Sequence, residues 1–130
     1  MSPPPPRERN SAPGVLGFDY VSLPVEDLEG AVTYYRDTLG LKLRFVTPGR
    51  WAEFDMGPMS LALYPREEDE PRGGEIAFAV RNLPEAVSRL EAKGVLFPHG
   101  IEEFQTPARR GRLVRFRDPF GNKLELVEGD

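Results

Sequence analysis

The chain states one pattern twice: VEDLEGAV at 25–32 returns as VRNLPEAV at 80–87, a shift of 55 residues that keeps valine, an Asp or Asn, leucine and Ala-Val in register. A repeat on that scale is one supersecondary unit built twice, so whatever fold forms must accommodate two copies of the same piece. The repeat extends both ways. Val21, Leu23 and Val25 alternate with Tyr20, Ser22 and Pro24, and Ile76, Phe78 and Val80 alternate with Glu75, Ala77 and Ala79. Period two reads as a strand with one buried face.

Behind each strand the apolar residues change period. Leu28, Ala31, Val32 and Tyr35, like Leu83, Ala86, Val87 and Leu90, fall at i, i+3, i+4 and i+7, which places them on one helix face. Asp27 and Asn82 stand where an N-cap side chain accepts from the first free backbone N–H groups. Gly40 and Gly94 supply the residue that tolerates a left-handed C-terminal turn. Short strands follow, over about 41–47, 51–56 and 60–64 in the first copy and about 95–98, 111–117 and 123–127 in the second. Each copy is therefore βαβββ. DMGPMSLAL at 55–63 matches DPFGNKLEL at 118–126 at a shift of 63, so eight extra residues are expected before the seventh strand, around Phe104 to Arg110.

The fold class is α+β: two tandem βαβββ modules forming a cupped mixed β-sheet, with the helices on its outer face. Residues 1–14 carry five prolines and few apolar groups and read as a disordered or polyproline-like tail. Residues 15–130 then form a single domain, with module one at 15–65, an acidic Gly/Pro-rich linker at 66–74 and module two at 75–130. About 115 residues, with 39% of the chain hydrophobic, suffice for one core and are thin for two, so the copies are expected to share a sheet system. No run approaches the ~20 apolar residues of a membrane span, and no signal-peptide core is present. The lack of cysteine removes disulfides, thiolate nucleophiles and zinc–thiolate sites together. A cytoplasmic location is expected, with no membrane partner. A net charge of −4 argues against a nucleic-acid partner, which needs a concentrated basic surface.

Strand parity points to the site. If Leu61 and Leu63, like Leu124 and Leu126, lie under the helices, then Tyr20, Ser22, Pro24, Ser60, Ala62 and Tyr64 share the other face of module one. Glu75, Ala77, Ala79, Lys123, Glu125 and Val127 share that face in module two. Small and polar residues there suggest the wall of a concave site. The run Arg109, Arg110, Arg112, Arg115 and Arg117 reads either as a solvated loop and strand face or, with Val114 and Phe116 toward the helix, as turning Arg115 and Arg117 inward toward the glutamates. Trp51, Phe45, Phe54, Tyr64 and Phe104 read either as aromatic faces for a flat ligand or as core. His99, the only histidine, is expected at solvent or a cavity rim. Phe120 reads as an exposed tip at a subunit contact, and Asp118 and Asn122 as turn chemistry.

The runs FDYVSLPVEDLEGAVTYYRDTLGLKL at 18–43, GEIAFAVRNLPEAVSRLEAKGV at 74–95 and FRDPFGNKLELVE at 116–128 resemble the vicinal oxygen chelate superfamily. That group includes glyoxalase I, extradiol dioxygenases, fosfomycin-resistance enzymes and bleomycin-resistance proteins. The resemblance implies a cup holding a divalent metal, and a homodimer; the linker permits a cup within one chain or between two. Carried over, the metal positions are Tyr20, Ala62, Glu75 and Glu125, of which Glu125 alone keeps the common ligand type. Sites for Fe, Mn, Ni or Zn of this kind favour imidazole with carboxylate, and no histidine is among the four.

The expectation is a small-molecule-binding protein of the bleomycin-resistance type with a degenerate metal site and no favoured cofactor. Tyr20, Ser22, Ala62, Tyr64, Ala77 and Arg115 would bind the ligand. Any catalysis would be metal-independent, with Glu75 and Glu125 as an acid–base pair. The alternative is a glyoxalase-type lyase, isomerase or dioxygenase using a divalent metal (Mn, Fe, Ni or Zn) on Glu75, Glu125 and Tyr20. A third reading, a partner-binding module, rests on the tail PPPPR.

Overall fold

A computed structural model describes Gly14, residues 17–71 and residues 73–129, so the expectation for the tail falls, Gly14 apart, outside the described residues. Module one runs β1 (Tyr20–Val25), α1 (Leu28–Thr33), a π-helical turn (Tyr34–Thr38), β2 (Lys42–Thr47), β3 (Trp51–Asp55) and β4 (Ser60–Pro65). Module two runs β5 (Glu75–Ala79), α2 (Leu83–Glu91), β6 (Glu102–Gln105), β7 (Arg110–Arg117) and β8 (Lys123–Gly129). Among the described residues, strands pair only within their own module, in the orders β1-β4-β3-β2 and β5-β8-β7-β6. The shared sheet expected from sequence is thus two mixed sheets. In each, the first and last strands are parallel and the rest antiparallel.

The helices begin where their caps allow. Asp27 accepts from the Gly30 N–H at 3.1 Å and Asn82 from the Glu85 N–H at 3.1 Å, each satisfying a donor the first turn leaves free. The α2 start is also held from the far end of the chain, because the Glu128 carboxylate accepts from the Leu83 N–H at 2.7 Å and from Arg112 at 2.6 Å. Those bonds hold the Glu128 carboxyl below its ordinary range, the backbone bond contributing most. Gly40 and Gly94 follow the helices at φ +78° and +90°, where a Cβ would be strained.

One continuous core joins the modules, with Leu23, Val25, Tyr35, Phe54, Leu61 and Leu63 from the first and Leu83, Val114, Phe116, Leu124 and Leu126 from the second. The strand residues that parity turned toward the helices, Leu23, Val25, Leu61, Leu63, Val114, Phe116, Leu124 and Leu126, are all in it. Pro24, Ser60 and Ala62, expected on the open face, are buried as well, the last two because β4 is flanked by β1 and β3. Phe54 is fully buried, so it is core and presents no face to a ligand. Phe120 packs half-buried against the same core and is not an exposed tip.

The sixth strand lies elsewhere than the alternation suggested. It spans Glu102–Gln105, and residues 95–98 form no strand. Val95 is buried and Phe97 meets Phe116 edge-on at 5.3 Å, so this apolar run anchors a connection to the core. Pro98 offers no N–H, and Gly100 turns the chain at φ +63°. The extra residues therefore sit mainly between Gly94 and β6, while the β6–β7 turn is closed by Thr106 N–H to Arg109 O at 2.7 Å.

The DPFGN turn is more than a turn. Asp118, nearly buried, accepts four hydrogen bonds: from Tyr35 Oη at 2.7 Å, Asn122 Nδ2 at 2.8 Å, Phe120 N–H at 2.8 Å and Asn122 N–H at 2.9 Å. The fully buried Asn122 also donates to Pro24 O at 3.0 Å and accepts from Gly74 N–H at 2.8 Å. Side chains of one turn thus fasten both modules and the end of the linker.

Candidate functional site

Each sheet turns one face away from the helices, and the two open faces differ chemically. On sheet one Tyr20 meets Trp51 edge-on at 5.3 Å, and Trp51 stacks on Tyr64 at 6.2 Å and 22°. The Trp51 indole N–H donates to Glu53 at 2.7 Å, and the Tyr64 hydroxyl donates to Glu70. The linker is wound around Arg66, whose guanidinium reaches the carbonyls of Glu67, Glu68 and Glu70. This face is aromatic with an acidic margin. Tyr20 is 47% exposed and Ser22 is exposed, whereas Ala62 is fully buried between them and β3.

Sheet two is ionic on the corresponding face. Arg115 lies between Glu102 at 3.2 Å and Glu125 at 3.6 Å. One row further along, Lys123 is in register with both Glu75 on β5 and Arg117 on β7. Arg117 donates to Gly121 O at 3.1 Å and has no carboxylate partner among the described residues. Of the two arginines expected near the glutamates, Arg115 therefore reaches one and Arg117 does not.

A cavity of about 770 Å³ opens against this ionic face. Glu75, Glu125 and Arg115, expected as site residues, line it; Tyr20, Ser22, Ala62, Tyr64 and Ala77 do not. Its other wall is Tyr34 and Thr38 from the π-helical turn together with the connection from Lys93 to His99. His99 is at this cavity, as the sequence reading allowed. Tyr34, Thr38 and Lys93 were missed as lining residues, whereas strand parity had set Lys123 on this face and allowed Arg117 there. For Tyr34 there was no signal, since the Leu39 N–H bonds to Tyr34 O, five residues back, and such a widened turn rotates side chains away from α-helical spacing.

The two tyrosines flanking these regions resist ionisation. Tyr34 is pushed up to about 12, first by burial and then by the Asp118 charge. Tyr64 is pushed up to about 12, first by its hydrogen bond to Glu70. A raised folded-state pKa contributes stability that is present below the unfolded value of 10.0 and is lost as pH climbs toward 12. Ultraviolet titration of the native protein should show phenolate appearing near pH 12, and Tyr64→Phe should remove one such step. Ionisation of all native tyrosines close to pH 10 would contradict the Tyr64–Glu70 bond.

The residues do not fit a chelating metal centre within one chain. Ala62 carries no donor atom, Glu125 faces Arg115, and Glu75 neighbours Lys123. Among the described residues, no three His, Cys, Asp or Glu side chains gather as a site would require.

The architecture defines a class: paired βαβββ modules, parallel at the outer strand pair, around one core. Residues 17–126 match the Glyoxalase/Bleomycin resistance protein/Dioxygenase superfamily, and the chain belongs to that family. Over 99 residues, 69% of the chain, it is 33% identical to an iron-dependent extradiol dioxygenase of Rhodococcus jostii, of which it spans 33% of the length. Among solved structures it resembles an antibiotic-binding protein, TnmS3, from a Streptomyces species, at 26% identity and a TM-score of 0.73, covering 90% of this chain and 98% of that one. It also resembles a lactoylglutathione lyase of Agrobacterium tumefaciens, at 25% identity and a TM-score of 0.70, covering 90% and 95%. No helix among the described residues is long and apolar enough to cross a membrane.

Proposed function

We propose that this chain is a cytoplasmic small-molecule-binding protein acting as a homodimer, in which the aromatic face of one copy and the ionic face of the other close around the ligand without a metal. The observation that carries the reading is the state of the two open faces. Each leaves large or charged groups uncovered, Tyr20 and Phe45 at 47% and 46% exposed on one and Glu75 exposed on the other, and each supplies what the other lacks. Aromatic stacking holds a flat body, while charged groups fix its orientation. The likeness to an antibiotic-binding protein supports binding. Any proton transfer would fall to Glu75 and Glu125, which line the cavity.

The single tryptophan makes the reading testable. A flat neutral quencher, 4-nitrobenzyl alcohol, should quench Trp51 fluorescence saturably. The double variant Glu75→Gln/Glu125→Gln should change the dissociation constant while leaving Tm unchanged, because those side chains sit on the partly exposed face of sheet two. A change read at Trp51 from substitutions on the other sheet requires that the two faces meet. Quenching that never saturates would overturn the proposal.

The likeness to an iron-dependent dioxygenase favours a second reading, in which Tyr20 of one copy joins Glu75 and Glu125 of the other on a divalent metal. Under the first reading, Mn, Fe, Ni or Zn leaves Tm unchanged. A stabilisation abolished by Glu125→Gln would establish the second.

A further inference from the structure

We infer that the cavity on sheet two contains a subsite for a compact oxyanion, a phosphoryl or carboxylate group of the ligand, held by Arg117 and Lys123. The inference deepens the proposed function and rests on its reading of this face as a ligand wall. It starts from how charge is distributed. The protein carries a net charge of −4, yet the cavity is lined by four cations, Lys93, Arg115, Arg117 and Lys123, against three carboxylates, Glu75, Asp118 and Glu125. Three of those seven charges are already committed. Asp118 is nearly buried and saturated by four donors, and Glu125 faces Arg115.

Lys93 is committed too. Its ammonium donates to Asp37 O at 2.8 Å and Thr38 O at 3.4 Å, closing the π-helical turn. What remains is Arg117, which spends one of its five N–H donors on Gly121 O, beside Lys123, with Glu75 the one uncommitted carboxylate next to them. Neither cation forms an ion pair among the described residues, although Arg112 and Arg115 on the same strand both do. The two are in register on adjacent antiparallel strands, so their side chains leave the same face about 5 Å apart at Cβ.

A guanidinium and an ammonium at that spacing supply a planar donor fork and a point charge to one oxyanion. Across the cavity the hydroxyls of Tyr34 and Thr38 complete the wall with neutral donors. The Tyr34 hydroxyl makes no hydrogen bond among the described residues, and the phenol stays protonated well beyond neutral pH.

The test uses the full chain and two probes, inorganic phosphate and acetate, titrated at low salt while backbone amide resonances are followed by NMR. Saturable shifts centred on residues 117–123 are expected. They should weaken about tenfold in Arg117→Gln/Lys123→Gln, a loss corresponding to about 1.4 kcal/mol, and fall with added chloride. Arg50→Gln, a charge change in the β2–β3 turn outside the cavity, should leave them unchanged. Tighter binding of phosphate assigns a phosphoryl ligand, and tighter binding of acetate a carboxylate; either supports the subsite. Shifts that fail to saturate, or that persist in the double variant, overturn it. Saturable Trp51 quenching by the neutral probe, with no anion response, would discard the subsite and keep the proposed function. Loss of both responses would discard both.

Discussion

Replacing Asp118 with alanine should destabilise the protein by about 3–5 kcal/mol, lowering Tm by roughly 10 °C or more. The carboxylate accepts from Tyr35 Oη, the Asn122 amide and two backbone N–H groups. Tyr35 and Asn122 are fully buried, so their donors gain no compensating water when the acceptor disappears. The loss spreads because Asn122 is the link to Pro24 O and Gly74 N–H. Asp118→Asn keeps one carbonyl acceptor and should cost appreciably less. Thermal unfolding of the two variants checks the order, and a fall in Tm of only a degree or two for Asp118→Ala would show that the turn does not tie the modules together.

Gly111→Ala is expected to cost about 2 kcal/mol despite adding a single methyl group. Gly111 pairs with Gly129 across β7 and β8, and a Cβ there would collide with the Glu128 carbonyl, which is backbone and has nowhere to retreat. Yielding would move Glu128, whose carboxylate holds the first N–H of α2. Amide hydrogen exchange at Leu83 should therefore accelerate in Gly111→Ala. Gly74→Ala is a useful comparison: its Cβ would meet the Leu23 side chain, which has rotamers to give, so a smaller loss and no change at Leu83 are expected. Equal effects at the two positions would argue against a rigid β7–β8 ladder.

Much of this architecture was legible in the chain because its signals are local. The caps at Asp27 and Asn82 and the glycines at 40 and 94 work within a few residues of themselves. Strand parity placed Leu61, Leu63, Leu124 and Leu126 in the core, though it did not foresee that Ser60 and Ala62 beside them would be buried too. The sixth strand was missed for the converse reason. VLFP at 95–98 has the composition of a strand, but its Val95 and Phe97 side chains go to the core, and Glu102–Gln105, one short turn before β7, takes the pairing. EEFQ, with two charges and one aromatic, announces nothing.

The site was legible as a set of faces and not as a set of contacts. Glu75, Glu125 and Arg115 line one cavity, as parity implied. Tyr20 and Tyr64 belong to a different surface with Trp51. Nothing in a one-dimensional pattern says which faces meet, and the widening of the first helix that brings Tyr34 and Thr38 to the cavity has no counterpart in the second copy.

Among the described residues no strand hydrogen-bonds across the module boundary. The halves are instead joined by side chains, through a shared core and the Asp118–Asn122 turn. A duplicated piece attached in this way is released from matching its sibling: neither backbone ladder dictates what the other must carry on its outer surface. Inherited symmetry then constrains only the buried half of each strand, while the exposed half is free to diverge. Here one surface is a plate of rings and the other a lattice of charge.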